Sequence, residues 1–436
     1  MNRTGMSILL VLIAIYSLKS QSWEKELDSV MRIIEKDELF QGQILFAEKG
    51  RILFNHAYGK DLKGDIITPE SPLSIESVTK TFTATAILIL NERGLLSLDD
   101  KLIRYFPELP YKNVTIRNLL NMTSGLPRFF TTFIDAGDTT KQLSNDDFIK
   151  MISYYEPKAN KPPGASFFYS DDNYMILASI IQDVTGETFA NFLKENIFDP
   201  VKMKNTFVKE FNTLNQDQIN STNFMAVYGS GEVYSTAKDL LLFDQALYTN
   251  QIITKESIQK MYDPPVLGDG SLSNYGFGWR ISNYGNKTEV YAVGDGEHTR
   301  ASIQRFLDDQ KTFIYIHNYS GQEWKPVYHT VKNIWNGEDY EIPSKRVIYD
   351  IDPDIYESYI GQYLTKNFGL LHISEENGKL FLRPDPIPGK EELVPSSNTT
   401  FYFANQGVEW EFFLNERGEV IGFGIRGRQE MMGPKQ

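Results

Sequence analysis

The chain has 436 residues, 41% hydrophobic and 23% charged, with 44 Lys and Arg against 57 Asp and Glu and a net charge of −13. That length buries a sizeable core and points to one large domain plus a smaller one, and an acidic balance with no basic run argues against a nucleic-acid partner. The absence of Cys excludes disulfides, a thiol nucleophile and Cys-ligated zinc.

In chain order, Arg3, the apolar run Ile8–Ile15 and the small polar residues Ser17, Ser20 and Ser22 have the charge, length and flanks of a secretory signal over residues 1–20. The run is too short for a membrane span. Removing it takes away Arg3 and Lys19 and no acid, which moves the net charge from −13 to −15. An exported, cysteine-free chain is expected to be periplasmic or secreted. Trp23, Leu27, Val30, Met31 and Ile34 recur at helical spacing and predict an amphipathic helix within 23–40. Ile44–Ala47 and Ile52–Phe54 predict two strands joined by a turn.

Ser77-Val78-Thr79-Lys80 leads into the apolar, Ala/Thr-rich run Thr81–Leu90, a predicted buried helix closed at Gly94. A hydroxyl and an amine three residues apart on a helix share a face, so the amine can take the hydroxyl's proton. The helix amino end adds N–H groups and a positive dipole for developing negative charge. The same four-residue pattern occurs at Ser22–Lys25, Ser235–Lys238 and Ser257–Lys260, and alone it reads as a helix cap beside a surface Lys. Ser22 adjoins the processing site, Ser235 reads as the cap of a helix over Tyr234–Tyr248, and Ser257 sits in a polar helix. Only Ser77 has a long buried helix behind it. Desolvation is expected to lower the pKa of Lys80 and make it a better base.

Val114–Leu120 predicts a helix running into the turn Thr123-Ser124-Gly125-Leu126-Pro127. Pro162-Pro163-Gly164 breaks the chain before Tyr169-Ser170-Asp171 and an apolar helix over Met175–Val184 closed by Gly186. Tyr275–Arg280 opens a strand region that continues through Thr288–Val293 and Thr312–Ile316. Helices and strands are clustered, which predicts an α+β fold with an antiparallel sheet. From about residue 350, short runs such as Leu370–Ile373, Leu380–Leu382, Phe401–Phe403, Trp410–Leu414 and Val420–Phe423 predict a small all-β sandwich or barrel over 350–436. Asn377-Gly378 and Arg417-Gly418 mark turns between them.

Ser77-Val78-Thr79-Lys80, Gly94–Asp100, Thr115–Leu120 with Thr123–Pro127, Tyr169-Ser170-Asp171, Ser235–Leu240 and Tyr275–Trp279, in that order, resemble the β-lactamase-related serine hydrolases over about residues 22–335. That family includes class C β-lactamases, penicillin-binding D-alanyl-D-alanine carboxypeptidases and related esterases. The resemblance implies an antiparallel sheet flanked by helices with an all-helical region, over residues 21–340. It implies an acyl-enzyme on Ser77, formed with Lys80 and Tyr169 on a small-molecule or peptide, ester or amide substrate. The oxyanion would be held by the Ser77 N–H and a backbone N–H between His298 and Ser302. No cofactor and no metal is called for.

Two positions depart from the family pattern. Asp171 stands where the family carries Asn, so it can only accept hydrogen bonds, or it can hold Lys80 by a charge-assisted bond. Asp295 stands where the family carries a cation two residues before Gly. The implied substrate-binding set is Asp171, Asp295, Gly296, His298 and Arg300, with His298 and Arg300 as the remaining positive charges. Asp171, Asp295 and Glu297 predict a carboxylate-lined pocket suited to a substrate without a free carboxylate. Asn173, Tyr174 and the other histidines, His317 among them, are expected to be structural. The altered third motif leaves a second reading, a catalytically impaired penicillin-binding-like protein. The C-terminal domain resembles β-barrel extensions appended to some family members, which assist oligomerisation or border the active site; a stability cap or a cell-wall contact are equal readings. The sequence sets no oligomeric state.

Overall fold

The computed structural model describes residues 23–129, 143–209, 225–284, 287–296, 299–318, 324–345, 348–366, 368–385, 389–403, 409–428 and 432–435. The predicted signal segment 1–20 and His298 lie outside them. The described residues fall into two compact units, 41–318 and the described parts of 1–40 with 319–436.

In the larger unit, β1 (Gly42–Glu48) and β2 (Arg51–Tyr58) form the predicted hairpin. Lys49 and Gly50 take φ of 50° and 74°, a two-residue turn with both central angles positive, which matches the twist of the flanking strands. With β3 (Arg280–Tyr284), β4 (Lys287–Asp295), β5 (Thr299–Phe306) and β6 (Lys311–Asn318), the described strands form a sheet in the order β2-β1-β6-β5-β4-β3, antiparallel throughout. The architecture is α+β.

The predicted Thr81–Leu90 helix is α1, Thr79–Glu92, and every residue from Thr79 to Leu90 is buried. A helix apolar on all sides has no solvent face. Its threonines are tolerated because their hydroxyls are bonded: Thr81 to the Val78 carbonyl at 2.9 Å, Thr83 to the Gly229 carbonyl at 2.8 Å and Thr85 to the Thr81 carbonyl at 2.8 Å. Phe82, Ile87 and Leu88 are fully buried, each contributing about 1.5–3 kcal/mol. Against α1 packs α3 (Asp171–Thr185), on which α2 (Asn145–Tyr155) packs in turn, and α4 (Ala237–Ala246) meets α1 through Phe243 and Phe82.

Two local expectations shift. The helix after Tyr169 starts at Asp171 rather than Met175 and ends, as predicted, at Gly186 with φ of 71°. Ser235 is not a cap: Val233–Ser235 is a strand paired with Leu73–Ser74 and Phe207–Val208. Thr236 caps α4 instead, its hydroxyl accepting from the Asp239 N–H at 3.1 Å.

The sequence places the helix over 23–36 and the segment to residue 340 with the larger domain, whereas the compact units divide at 40/41 and 318/319. Tyr340 donates to Glu26 at 2.8 Å and Lys345 to Glu38 at 3.2 Å, tying 23–40 to the chain beyond 319. In the same unit, eight described strands from Gly361–Thr365 to Gly433–Pro434 pair antiparallel with their chain neighbours. A bridge between Tyr363 and Lys435 brings the ends together, so the sheet is a nearly closed barrel. Its core is aromatic, with Tyr359 stacked on Phe412 at 4.0 Å between ring centroids.

Candidate active site

Ser77 sits in a 3-10 turn, Glu76–Val78, that runs straight into α1, one step earlier than the predicted first helical turn. Glu76 has φ of 48°, a left-handed conformation that is costly for a residue with a Cβ. The turn presents the Ser77 hydroxyl beside Lys80, which lies on the first turn of α1. Lys80 Nζ donates to Ser77 Oγ at 2.8 Å and to the Ser230 carbonyl at 2.9 Å, and its third partner is Asp171 Oδ1 at 2.6 Å. With the adjoining Tyr169 hydroxyl, these acceptors take up the three N–H bonds of an ammonium.

The Lys80 side chain is 1% exposed. Burial pushes its pKa down, as expected from the sequence, but the Asp171 carboxylate and the adjoining Tyr169 hydroxyl outweigh burial and hold it above the ordinary amine range. The expectation of a depressed lysine is therefore overturned. Desolvation disfavours a lone ammonium, and a carboxylate in direct contact reverses that balance. Asp171 is the first residue of α3, where the helix dipole favours a negative side chain. Of the two alternatives for Asp171, the bond to Lys80 is the one that forms.

Asn173 and Tyr174 are fully buried. Asn173 Oδ1 accepts from Ser124 Oγ at 2.5 Å, and Tyr174 donates to the Leu120 carbonyl at 2.6 Å. These bonds tie Leu120 and the Thr123–Pro127 turn to α3.

A cavity of about 500 Å³ opens over Ser77 and is lined by Tyr169, Asp171, Tyr275, Gly278, Arg280, Tyr291, Ala292, Val293, Asp295 and Arg300. Two cations lie near the Tyr169 ring, with Lys80 Nζ 5.1 Å and Arg280 Cζ 5.7 Å from its centroid. Tyr275 meets the same ring edge-on at 6.1 Å. Arg280 makes no ion pair among the described residues. Gly278 brings it there: at φ of 83°, a Cβ on Gly278 would lie 2.8 Å from the Lys80 carbonyl oxygen, so only glycine lets this segment approach α1.

Asp295 ends β4 and faces Arg300 across the ladder, and the two side chains form an ion pair. Among the described residues the cavity therefore carries two carboxylates, each already paired, and two guanidinium groups, one of them without an ion pair. Asp171 and Asp295 line it as expected from the sequence and Glu297 lies outside the described residues; what the sequence did not show is that the strand register supplies Arg300 to Asp295 and the fold supplies Arg280. Gly296 is not among the lining residues. A Cβ there would sit 2.5 Å from Glu76 Cδ, and one on Gly294 would sit 2.2 Å from the Ile75 carbonyl oxygen, so both glycines make room for the Ser77 turn. Glu297 and His298 lie outside the described residues, as does the second oxyanion donor if His298 supplies it.

The structure thus gathers Ser77, Lys80, Tyr169 and Asp171, and sets Asp295 and Arg300 on the rim of the same cavity. Sequence reasoning missed Arg280, Tyr275 and Ser230. The available signal for Arg280 was its place directly after the Tyr275–Trp279 motif. Among the described residues no group of three or more His, Asp or Glu could hold a metal ion. A hydroxyl, an ammonium and a phenol around one cavity can perform acyl transfer.

A family model described as Beta-lactamase matches residues 35–330. Penicillin-binding protein 4* of Bacillus subtilis (strain 168) is 31% identical over 431 residues, covering 91% of this chain and 95% of that protein. The octameric penicillin-binding protein homologue from Pyrococcus abyssi superposes with a TM-score of 0.61 at 20% identity, covering 94% of this chain and 99% of the other. The D-amino acid amidase from Ochrobactrum anthropi SV3 superposes with a TM-score of 0.54 at 22% identity, covering 68% and 92%.

Proposed function

Because the chain belongs to the β-lactamase family and is a serine hydrolase of that fold, we propose that it is exported and cleaves a peptide-like amide or an ester through an acyl-enzyme on Ser77. The observation that carries this reading is the 2.8 Å bond from Lys80 Nζ to Ser77 Oγ at the floor of the cavity. The names of a penicillin-binding relative and a D-amino acid amidase neighbour support a peptide or amide bearing a D-residue. Export rests on Arg3 and the apolar run Ile8–Ile15.

In the proposed mechanism Ser77 Oγ attacks the carbonyl carbon. Lys80, held as an ammonium, already donates to Oγ, so the proton acceptor in this step is Tyr169 reacting in its phenolate form, which takes the Ser77 proton and becomes the phenol. The Ser77 N–H, at a helix start where the ladder leaves N–H groups unused, donates to the oxyanion; one such donor contributes about 3–4 kcal/mol. Tyr169 then protonates the leaving group, and water repeats the sequence on the acyl-enzyme.

Intact-mass detection of a covalent adduct with a fluorophosphonate, beside Ser77→Ala and Tyr169→Phe, tests the reading. A panel of a D-Ala-D-Ala peptide, a D-amino acid amide, a chromogenic cephalosporin and a p-nitrophenyl ester then ranks substrates. No adduct on Ser77 and no turnover in the panel would favour the catalytically impaired binding protein.

A further inference from the structure

The loop over residues 228–233 forms the floor beneath Lys80, and α1 and α2 hold it. Asn145 accepts from the Tyr228 N–H at 2.7 Å and donates to its carbonyl at 3.1 Å; Thr83 donates to the Gly229 carbonyl at 2.8 Å; Thr79 accepts from the Val233 N–H at 3.2 Å. Gly229, at φ of 115°, passes so close to α3 that a Cβ would lie 2.3 Å from the Tyr174 carbonyl oxygen. Inside this frame Glu232 Oε2 accepts from the Gly229 N–H at 2.9 Å and the Ser230 N–H at 3.3 Å. Successive N–H groups converging on one carboxylate form an anion nest. The Ser230 carbonyl accepts from Lys80 Nζ, and the N–H of the same peptide, that of Gly231, also bonds the Glu232 carboxyl.

We propose that Glu232 is a positioning residue for the Ser77–Lys80 pair: its carboxylate gathers the Gly229 and Ser230 N–H groups and thereby turns the Ser230 carbonyl onto Lys80 Nζ. The proposal rests on the Ser77 acyl-enzyme reading. Without that carbonyl, Lys80 loses the partner that opposes Asp171 and keeps Asp171, Tyr169 and Ser77, and the ammonium is free to settle on the carboxylate and leave Oγ. Glu232 is mostly buried, and burial pushes its carboxyl up to about 7, against the pull of the Gly231, Glu232 and Gly229 N–H groups and of Lys80. A group so unfavourably placed for ionisation needs the nest to remain bound. Glu232 does not line the cavity, so it acts through Lys80 and not on substrate.

The test compares Glu232→Ala and Glu232→Gln in the full chain, with kcat for a p-nitrophenyl ester expressed per Ser77 labelled by fluorophosphonate. Glu232→Ala is expected to lower kcat per labelled site by about 10- to 100-fold, the usual consequence of a small misplacement, with KM within about twofold. Glu232→Gln keeps an acceptor oxygen for the two N–H groups and should recover most of the loss. An unchanged kcat per site in Glu232→Ala overturns the proposal, and so does a fall only in the number of labelled sites, which marks a purely structural role. If Glu232→Ala does not fold, a Glu232→Gln enzyme that unfolds cooperatively yet loses about 100-fold or more in kcat per labelled site overturns it as well. Wild-type protein that neither labels nor turns over substrate sinks the hydrolase reading itself.

Discussion

Asp171 Oδ1 lies 2.6 Å from Lys80 Nζ, and this contact decides which form of the lysine occupies the site. A carboxylate touching a buried amine keeps it protonated, so Lys80 acts here as a fixed positive charge that also binds Ser77 Oγ. The Asp171→Asn variant restores the amide that the resembling enzymes carry. Its Lys80 should lose protons more readily, moving the alkaline limb of kcat/KM to lower pH. Profiles of both proteins on an uncharged ester check this, and coincident limbs would show that Asp171 does not set the charge on Lys80.

Among the described residues, Arg280 is the cation of the cavity without an ion pair. A guanidinium bonded to a carboxylate is worth about 1.5–3 kcal/mol, so Arg280→Gln should raise KM for a D-Ala-D-Ala peptide by about tenfold or more. KM for a neutral p-nitrophenyl ester should stay within about twofold. Steady-state kinetics on the two substrates decide the matter. Equal losses in kcat on both, with KM unmoved, would place the effect on Tyr169 instead of on the substrate carboxylate.

What the sequence revealed of this site was local. Ser77 and Lys80 are three positions apart across the 3-10 turn that opens α1, and Tyr169 and Asp171 flank a helix start, so spacing alone constrained their relative faces. The hairpin turns at Lys49-Gly50 and Asn377-Gly378 were legible because both need positive φ in succession. The raised pKa of Lys80 was not legible, since its cause arrives from a helix that begins at Asp171. The Asp295–Arg300 pair follows from a strand register that no composition reports. In the barrel, Gly361–Thr365 escaped notice because Leu364 is half exposed beside the buried Tyr363, which blurs the alternation that marks a strand. Ser235 misled for the opposite reason: it has the chemistry of a cap, but Ser74 and Phe207 pair with its neighbour Tyr234.

Asp244 of α4 and Arg305 of β5 form an ion pair in which both side chains are 0% exposed. Thr312 Oγ1 donates to Asp244 Oδ2 at 2.7 Å, and the guanidinium lies 4.6 Å from the Tyr248 ring centroid and 5.5 Å from that of Trp279. Removing one charge strands the other in the core, which costs about 3–5 kcal/mol. Asp244→Asn should therefore lose about that much in urea unfolding. The same variant should still label Ser77 with fluorophosphonate at low temperature, because the pair does not line the cavity. A loss below about 1 kcal/mol would mean that Arg305 finds another partner.

Two buried groups pull the pH dependence of stability in opposite directions. His317, whose Nδ1 accepts from the Gln41 N–H at 3.4 Å, is pushed by burial from 6.5 down to about 3. Between those values the unfolded chain takes up a proton that the folded chain refuses, so its contribution is complete above pH 6.5 and declines as pH falls, by about 1.4 kcal/mol per unit. Glu232 is raised from 4.5 to about 7. Between those values the folded chain keeps a proton that the unfolded chain releases, so its contribution is complete below 4.5 and declines as pH rises. From 4.5 to 6.5 the two slopes offset each other. Urea unfolding from about pH 3 to about pH 8 should then show His317→Asn gaining on wild type as pH falls below 6.5, by about 4 kcal/mol at the acid end. Glu232→Gln should gain as pH rises above 4.5, by about 3 kcal/mol at the alkaline end. The sign of each difference is what the experiment reads, since any packing change shifts a whole curve without tilting it; curves parallel to wild type would show that neither group titrates where its burial places it.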